Sequence, residues 1–255
     1  MSALAISAAV FASTLLSGFI GLALARKLPQ DHIDQGSKDC VRLVMGFVST
    51  VAALVLSMLI ASAKNNYDVR GNQLQTLSAG ILSLDHLLWR YGAETAELRI
   101  GLRNDLTQML DQVWNGDRFV IARLGLGQRD RRLVDFAQPI QSLPLGSEDQ
   151  RATRNQAIQM ADTLNAIRVQ MTQVIGRTIP YPVLLVLGSW MTALFFSFGM
   201  FARPNRAVLG AMTVGAICLA GAIFLILELD QPFDGIMGLS DAPLRQAIGM
   251  IGHDE

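Results

Sequence analysis

The chain has 255 residues, of which 51% are hydrophobic and only 16% are charged. An average soluble domain has about 25% charged residues, and a disordered chain has far fewer apolar ones. The composition therefore excludes a disordered protein, and the presence of only two cysteines excludes a disulfide-rich secreted scaffold. Lys and Arg balance Asp and Glu at 21 each, which gives no electrostatic reason to expect a nucleic-acid partner.

Charged side chains are absent from four long segments: 1–25, 43–63, 178–202 and 207–227. Each segment meets the requirement of about 20 apolar residues for a helix that crosses a bilayer. We therefore predict four transmembrane helices, with membrane lipid as a partner and the cell (inner) membrane as the location. The first segment is expected to stay attached rather than be cleaved, because no basic residue precedes its long apolar stretch.

The order of these segments predicts an all-α fold, with four transmembrane helices and a helical extramembrane domain inserted between helices 2 and 3. Residues 1–63 form the first helix pair with its charged connection at 26–42, and residues 64–177 form the helical domain. Residues 178–228 form the second helix pair. Residues 229–255 form an acidic exit and a short tail helix, for which Asp241 is the expected N-cap.

Apolar residues at alternating spacings of three and four mark helical seams in the middle domain. No proline interrupts the chain between the second span and Gly92, so we expect one long helix that ends there. An antiparallel bundle that closes on itself and an oligomer in which seams of several subunits meet explain the pattern equally well. The seam residues are Leu74, Leu77, Ile81, Leu84 and Leu88, then Leu98, Leu102, Leu106, Met109 and Val113, then Met160, Leu164, Ile167, Met171 and Val174.

The sequence contains no phosphate-binding loop, dinucleotide-binding glycine pattern, zinc-protease motif or nucleophile-elbow motif. Its three histidines and two cysteines are scattered, without the spacing of a zinc site. We therefore predict that the protein is not an enzyme, with no catalytic residues.

The second span carries a stripe of small and polar residues that share one helical face. Such residues allow close packing of helices in a membrane, and they are equally suited to line a water-filled pore formed by several chains. The candidate pore-lining residues are Gly46, Thr50, Ala53, Ser57, Ala61 and Lys64.

Two charged clusters flank the spans. Asp34, Lys38 and Arg42 form either a solvated, salt-bridged turn, with Ser37 capping the second span, or a ring of charge at a pore mouth. After the fourth span, Glu228, Asp230 and Asp234 offer oxygen ligands of the kind that calcium prefers, although a structural ion-pair network is the more common explanation.

Three blocks of the sequence, 37–68, 84–95 and 220–248, resemble the bestrophin-like bacterial membrane proteins, which are catalogued as a domain of unknown function. His86, Ala93 and Gln231 depart from the family pattern, which commonly has Arg, Pro and Arg at these positions. Bestrophins are ring-shaped channels, mainly for anions, in which the second span lines the pore and a helical soluble part extends it. The resemblance implies a similar layout here, but anion selectivity does not transfer residue by residue.

The leading hypothesis is therefore a homo-oligomeric passive channel or pore for inorganic ions. The alternative is a non-conducting membrane scaffold or sensor whose helical domain binds a partner. The resemblance places that domain in the cytoplasm, whereas a small excess of basic residues in the two short connections favours the outside. The two sets are Arg26, Lys27, Lys38, Arg42, Arg203 and Arg206 against Lys64, Arg70, Arg168 and Arg177.

Overall fold

The computed structural model describes residues 2–26, 35–114, 137–144, 146–174, 181–202, 204–230 and 236–252. All regular secondary structure in these ranges is helical. The α-helices are α1 (Ala3–Ala25), α2 (Gln35–Tyr91), α3 (Ala96–Trp114), α4 (Ala137–Gln141), α5 (Glu148–Val174), α6 (Tyr181–Phe201), α7 (Arg206–Leu229) and α8 (Ala242–Met250), with a 3₁₀ turn at Ala93–Thr95.

Four of the helices, α1, α2, α6 and α7, are long and apolar enough to cross a membrane. Each overlaps one of the four uncharged segments of the sequence, and α2 extends well beyond its segment at both ends. The sequence Asn115-Gly116-Asp117 predicts a turn, and residues 118–146 are expected to form short helices and loops. The turn and most of the residues after it lie outside the described residues. The chain divides into two compact units, one of residues 1–67 and 179–237, the other of residues 68–178 and 238–255.

The first unit is held together by close contact between α1 and α6. The carbonyl oxygen of Gly18 would lie 2.1 Å from a Cβ atom added at Gly199, and the same distance separates a Cβ at Gly21 from the carbonyl oxygen of Phe196. The Ser17 hydroxyl donates to the carbonyl oxygen of Thr192 at 2.5 Å. Small residues at these positions let two helix backbones meet, which is how dispersion forces hold helices together where lipid offers no hydrophobic driving force.

The first unit also packs α1 against α7, and the last turns of α7 against α2. One apolar cluster centres on Ala216 and Ile223 of α7. A second, smaller cluster joins Ile226 and Leu229 to Ala63 of α2.

The second unit is a helical bundle around a core formed by α2, α3, α4, α5 and α8. Four of the five seam residues of α2, Leu77, Ile81, Leu84 and Leu88, are buried in this core, and Ile81 is 0% exposed. Leu102 and Leu106 of α3 and Leu164 of α5 fill the same core. The described seams therefore pack on each other within one chain, as the interpretation of a closed bundle predicts.

The expected end of the long helix is confirmed, since α2 stops at Tyr91 and Gly92 has a φ of +135°. A side chain at this φ is strained, whereas glycine adopts it readily. The Thr95 hydroxyl then donates to the carbonyl oxygens of Leu88 and Gly92, which holds the turn into α3. Helix α2 begins at Gln35, so Ser37 lies inside the helix and is not its cap.

A buried ion pair joins the first two helices of this bundle. The Asp85 carboxylate accepts hydrogen bonds from Nε and Nη2 of Arg99 at 2.7 and 2.8 Å, and the Asp85 side chain is only 5% exposed. Two parallel bonds of this kind fix geometry as well as charge. His86, which follows Asp85 and stands where the family commonly has Arg, takes no part in this ion pair. Its side chain is exposed and stacks on Trp89.

The tail helix packs within the second unit. Leu244, Ala247 and Ile251 are at most 1% exposed, and the Trp114 indole N–H donates to the carbonyl oxygen of Leu239. Asp241 occupies the N-cap position as expected, but its carboxylate pairs with Arg245 at 2.5 Å rather than capping the backbone.

The glycine contact in the first unit predicts that Gly199→Ala destabilises the protein. The new methyl group would meet backbone atoms of α1, and such overpacking costs about 1–3 kcal/mol. Alanine otherwise gains up to about 1 kcal/mol in a helix. The thermal midpoint of the detergent-solubilised protein should therefore fall. Gly188→Ala on the same helix is the control, because no atom lies within 4 Å of its added Cβ. Equal midpoints for the two variants would contradict the contact.

The position of Asp105 on α3 predicts a pH-dependent stability. Burial raises the pKa of this carboxyl in the folded protein, so the folded state binds the proton more tightly than the unfolded chain does. Burial of the charge therefore costs stability above the folded pKa and costs none below the unfolded pKa. Asp105→Asn should raise the thermal midpoint at neutral pH, and the gain should vanish as the pH falls. Glu97→Gln, at an exposed carboxylate of α3, controls for loss of charge. A gain that persists unchanged into acid would contradict this assignment.

Candidate functional site: the exposed face of the second helix

The apolar part of α2 is the least covered of the four candidate spans. Only 6% of its residues are buried within the chain, compared with 28%, 22% and 28% for α1, α6 and α7. Ala52 and Ala63 are fully buried against the rest of the first unit. The remaining surface of α2 needs lipid, water or another chain to cover it.

All six residues of the predicted stripe lie on this uncovered surface. Gly46, Thr50, Ala53, Ser57, Ala61 and Lys64 are each exposed. Close packing within the chain therefore uses other small residues, namely the glycines of α1 and α6. The structure brings the six together on one face of one helix, as their spacing predicts.

The hydroxyl groups of the stripe have partners in their own helix. Thr50 donates to the carbonyl oxygen of Gly46 at 2.9 Å, and Ser57 donates to that of Ala53 at 2.7 Å. These bonds satisfy the hydroxyl protons without a second helix. The oxygen lone pairs that remain can accept hydrogen bonds from water or from a neighbouring chain.

Large apolar side chains occupy an adjacent sector of the same helix. Leu43, Phe47, Leu54 and Met58 are 66–76% exposed, and at 100° per residue they follow the stripe around the helix. One part of the uncovered surface is therefore small and partly polar, while the next is large and apolar. The two sectors favour different surroundings.

The two ends of the stripe carry basic residues. Near the first end, Arg42 pairs with Asp39 at 3.4 Å, and both side chains are more than half exposed. A pair this exposed contributes little to stability. Lys38 is half-buried, and Asp34 lies outside the described residues. At the other end, the Lys64 ammonium lies 5.7 Å from the centre of the Tyr67 ring.

The acidic exit of the fourth span is buried rather than open. Glu228 and Asp230 are each 5% exposed, and Asp234 lies outside the described residues. One oxygen of Glu228 accepts hydrogen bonds from the backbone N–H groups of Ile236 and Met237, the latter at 3.2 Å. Among the residues that the structure describes, no group of three or more His, Cys, Asp or Glu side chains could hold a metal ion.

Three contacts of the described residues do not follow from the sequence predictions. Arg99 pairs with Asp85 from 14 residues further along the chain, and Asp39, outside the predicted cluster of Asp34, Lys38 and Arg42, pairs with Arg42. The glycine contact had a detectable signal, because Ser17 and Gly21 are small residues four positions apart in an apolar span, a spacing that favours close helix contact.

Comparison with known proteins places this geometry in a family. A family model for the bestrophin-like domain matches residues 12–244. No curated protein sequence is significantly similar to the chain.

Several solved structures share the fold. A point variant of a bacterial bestrophin homologue from Klebsiella pneumoniae aligns with a TM-score of 0.70 at 14% identity, covering 96% of each chain. A variant of a structure described as a membrane protein aligns with a TM-score of 0.69 at 14% identity, covering 97% of this chain and 99% of the other. Identities this low establish the fold alone. Together with the family match and the four apolar helices, they show that this chain is an integral membrane protein that belongs to the bestrophin-like domain family.

Proposed function

We propose that the chain assembles into a homo-oligomeric passive ion channel in which the stripe of α2 lines the pore. The observation that carries this proposal is the exposure of all six stripe residues on a span of which only 6% is buried. One helix per chain cannot enclose a pore, so several copies must contribute α2. The match to the bestrophin-like family supports the same class of function.

The chemistry of the stripe suits contact with water. Small side chains leave room for a water column, and hydroxyl oxygens can accept hydrogen bonds from it. The stripe carries no ionisable group in the middle of the span, since Lys64 stands at its end. An ion would therefore meet a polar but uncharged wall, which favours passive conduction over a proton relay.

The large apolar sector of α2 complements this role. Leu54 and Met58 lie beside the stripe and are unsuited to line a wide aqueous path. In the proposed assembly they contact neighbouring copies or lipid, while Ser57 faces the pore. The proposal therefore predicts different surroundings for Ser57 and Met58, although they are adjacent in the helix.

We further propose that the channel prefers anions. The Lys64 ammonium at one end of the stripe lowers the energy of an approaching anion and raises that of a cation. At the other end, Asp39 offsets the charge of Arg42, so that end contributes less to the selection.

We place the channel in the inner membrane, with four spans and the helical unit of residues 68–178 outside the bilayer. The excess of basic residues in the short connections favours the outer side for that unit, by the positive-inside rule. The resemblance to bestrophins favours the cytoplasm. An engineered protease site in the exposed face of α3, tested in intact and opened cells, distinguishes the two.

Conduction is tested by planar-bilayer recording of the purified oligomer under a salt gradient. We expect discrete current steps with a reversal potential that is displaced from zero towards the equilibrium potential of the anion. Lys64→Gln should move that potential towards zero, because it removes the positive charge at the pore end. Silence over a wide range of voltage and pH would favour the scaffold or sensor alternative. A reversal potential displaced towards the equilibrium potential of the cation would contradict the anion preference but not conduction itself.

The pore wall is tested by single cysteines in a background that carries Cys40→Ser and Cys218→Ser, because both native cysteines are exposed. A charged thiol reagent should block the current of Ser57→Cys, which faces the pore in the proposal. Met58→Cys is the matched control at the same depth and should be insensitive. Block at Met58→Cys but not at Ser57→Cys would place another face of α2 on the pore.

Calcium remains a separate proposal for the carboxylates of Glu228, Asp230 and Asp234. Oxygen ligands suit this ion. Two of the three carboxylates, those of Glu228 and Asp230, are buried and lie two positions apart in the sequence. One oxygen of Glu228 is already shared by two backbone N–H groups, so only its second oxygen is available as a ligand.

If these residues bind calcium, the ion should raise the thermal midpoint by mass action. The gain in folding free energy is about 2.7 kcal/mol when calcium is a hundredfold above its dissociation constant. Magnesium is the control ion, and Asp234→Asn should reduce the gain. A midpoint that stays constant across the calcium titration would eliminate this site.

A further inference from the structure

A short turn after α7 presents two large apolar side chains outward. Ile236 is 80% exposed and Met237 is 42% exposed. Both belong to the first unit, which also contains the four apolar spans. Exposed apolar side chains in a turn are unfavourable in water, so their surroundings need an explanation.

The turn is held in place by a buried carboxyl group. The Glu228 carboxylate accepts the backbone N–H groups of both Ile236 and Met237, and it is itself 5% exposed. Two hydrogen bonds from consecutive backbone N–H groups to one carboxyl oxygen fix the position of both residues. The backbone conformation that points these two side chains outward is therefore fixed by the fold.

The depth of the turn follows from the helix end beside it. Leu229, the last residue of α7, packs in one cluster with Ala63 and Tyr67 of α2. The Lys64 ammonium lies over the Tyr67 ring. Tyrosine rings and lysine ammonium groups at the end of an apolar span are typical of the membrane–water interface. The end of α7 is therefore at interface depth, and the backbone bonds to Glu228 keep the turn close to it.

We propose that Ile236 and Met237 insert into the lipid headgroup region and anchor the exit of the fourth span at the bilayer surface. The apolar surface of α7 leads to this turn, because Leu225, one turn before the helix end, is 43% exposed. Apolar side chains at the boundary between headgroups and acyl chains are removed from water, which is the same source of binding energy that interfacial helices use. The anchor is independent of conduction, so it can hold whether or not the oligomer forms a pore.

The test uses the full-length protein reconstituted into phosphatidylcholine vesicles, in the background with Cys40→Ser and Cys218→Ser. An environment-sensitive fluorophore is attached to Ile236→Cys. Brominated phosphatidylcholine, which quenches probes in lipid, should remove as much of its fluorescence as it does for Leu185→Cys on the exposed face of α6. Aqueous iodide should quench it far less than it quenches Thr107→Cys on the exposed face of α3.

Two results would overturn the anchor. Strong iodide quenching without loss to brominated lipid would place the turn in water. Protection from both quenchers would show that a second copy of the chain covers it. Met237→Cys provides an independent position if Ile236→Cys fails to reconstitute. Brominated lipid should quench its probe as well, but less strongly, because Met237 is less exposed than Ile236.

Discussion

The continuity of α2 is the constraint on which the rest of the structure depends. Its backbone is one uninterrupted helix from Gln35 to Tyr91, so each N–H inside it is satisfied locally, whatever surrounds the side chains. This property allows a single element to run from an apolar span into a polar unit. The side chains then decide the surroundings: Leu54 and Met58 are exposed in the apolar part, whereas Ile81 and Leu84 are buried in the bundle core.

The two parts of α2 differ in what the chain itself supplies. In the second unit, α3, α5 and α8 cover its seam, so that part is complete in one chain. In the first unit, α1 makes its close contacts with α6 and α7, through Gly18 and Gly21 in the case of α6. These helices cover each other more than they cover α2. The least covered surface among the four candidate spans therefore lies on α2, which is where the proposed pore lies.

The features that the sequence predicted well depend on local patterns. The spans follow from the absence of charge, and the seam of α2 follows from the spacing of Leu77, Ile81 and Leu84. Gly92 ends the helix because its φ suits glycine. The stripe of α2 was visible for the same reason, since its six residues share a face through helical spacing alone.

Contacts between distant residues were not accessible in this way. Asp85 has several basic residues within reach in sequence, and only the packing of α2 on α3 selects Arg99. The partners of Glu228 could not be predicted either, because every residue except proline has a backbone N–H group and the sequence does not indicate which of them bind a carboxylate. Whether the stripe faces water also depends on other copies, which no single sequence or single chain contains.

The two buried carboxylates show how the same problem is solved differently in the two units. Burial of a charge is expensive unless hydrogen bonds replace the lost water. Asp85 obtains them from a guanidinium group, which joins two helices. Glu228 obtains them from two consecutive backbone N–H groups, which fix a turn instead of a helix pair. Replacement of Asp85 would therefore loosen the packing of a bundle, whereas replacement of Glu228 would release a turn at the end of a span. The chemistry of the partner, more than the burial of the charge, determines what each carboxylate holds in place.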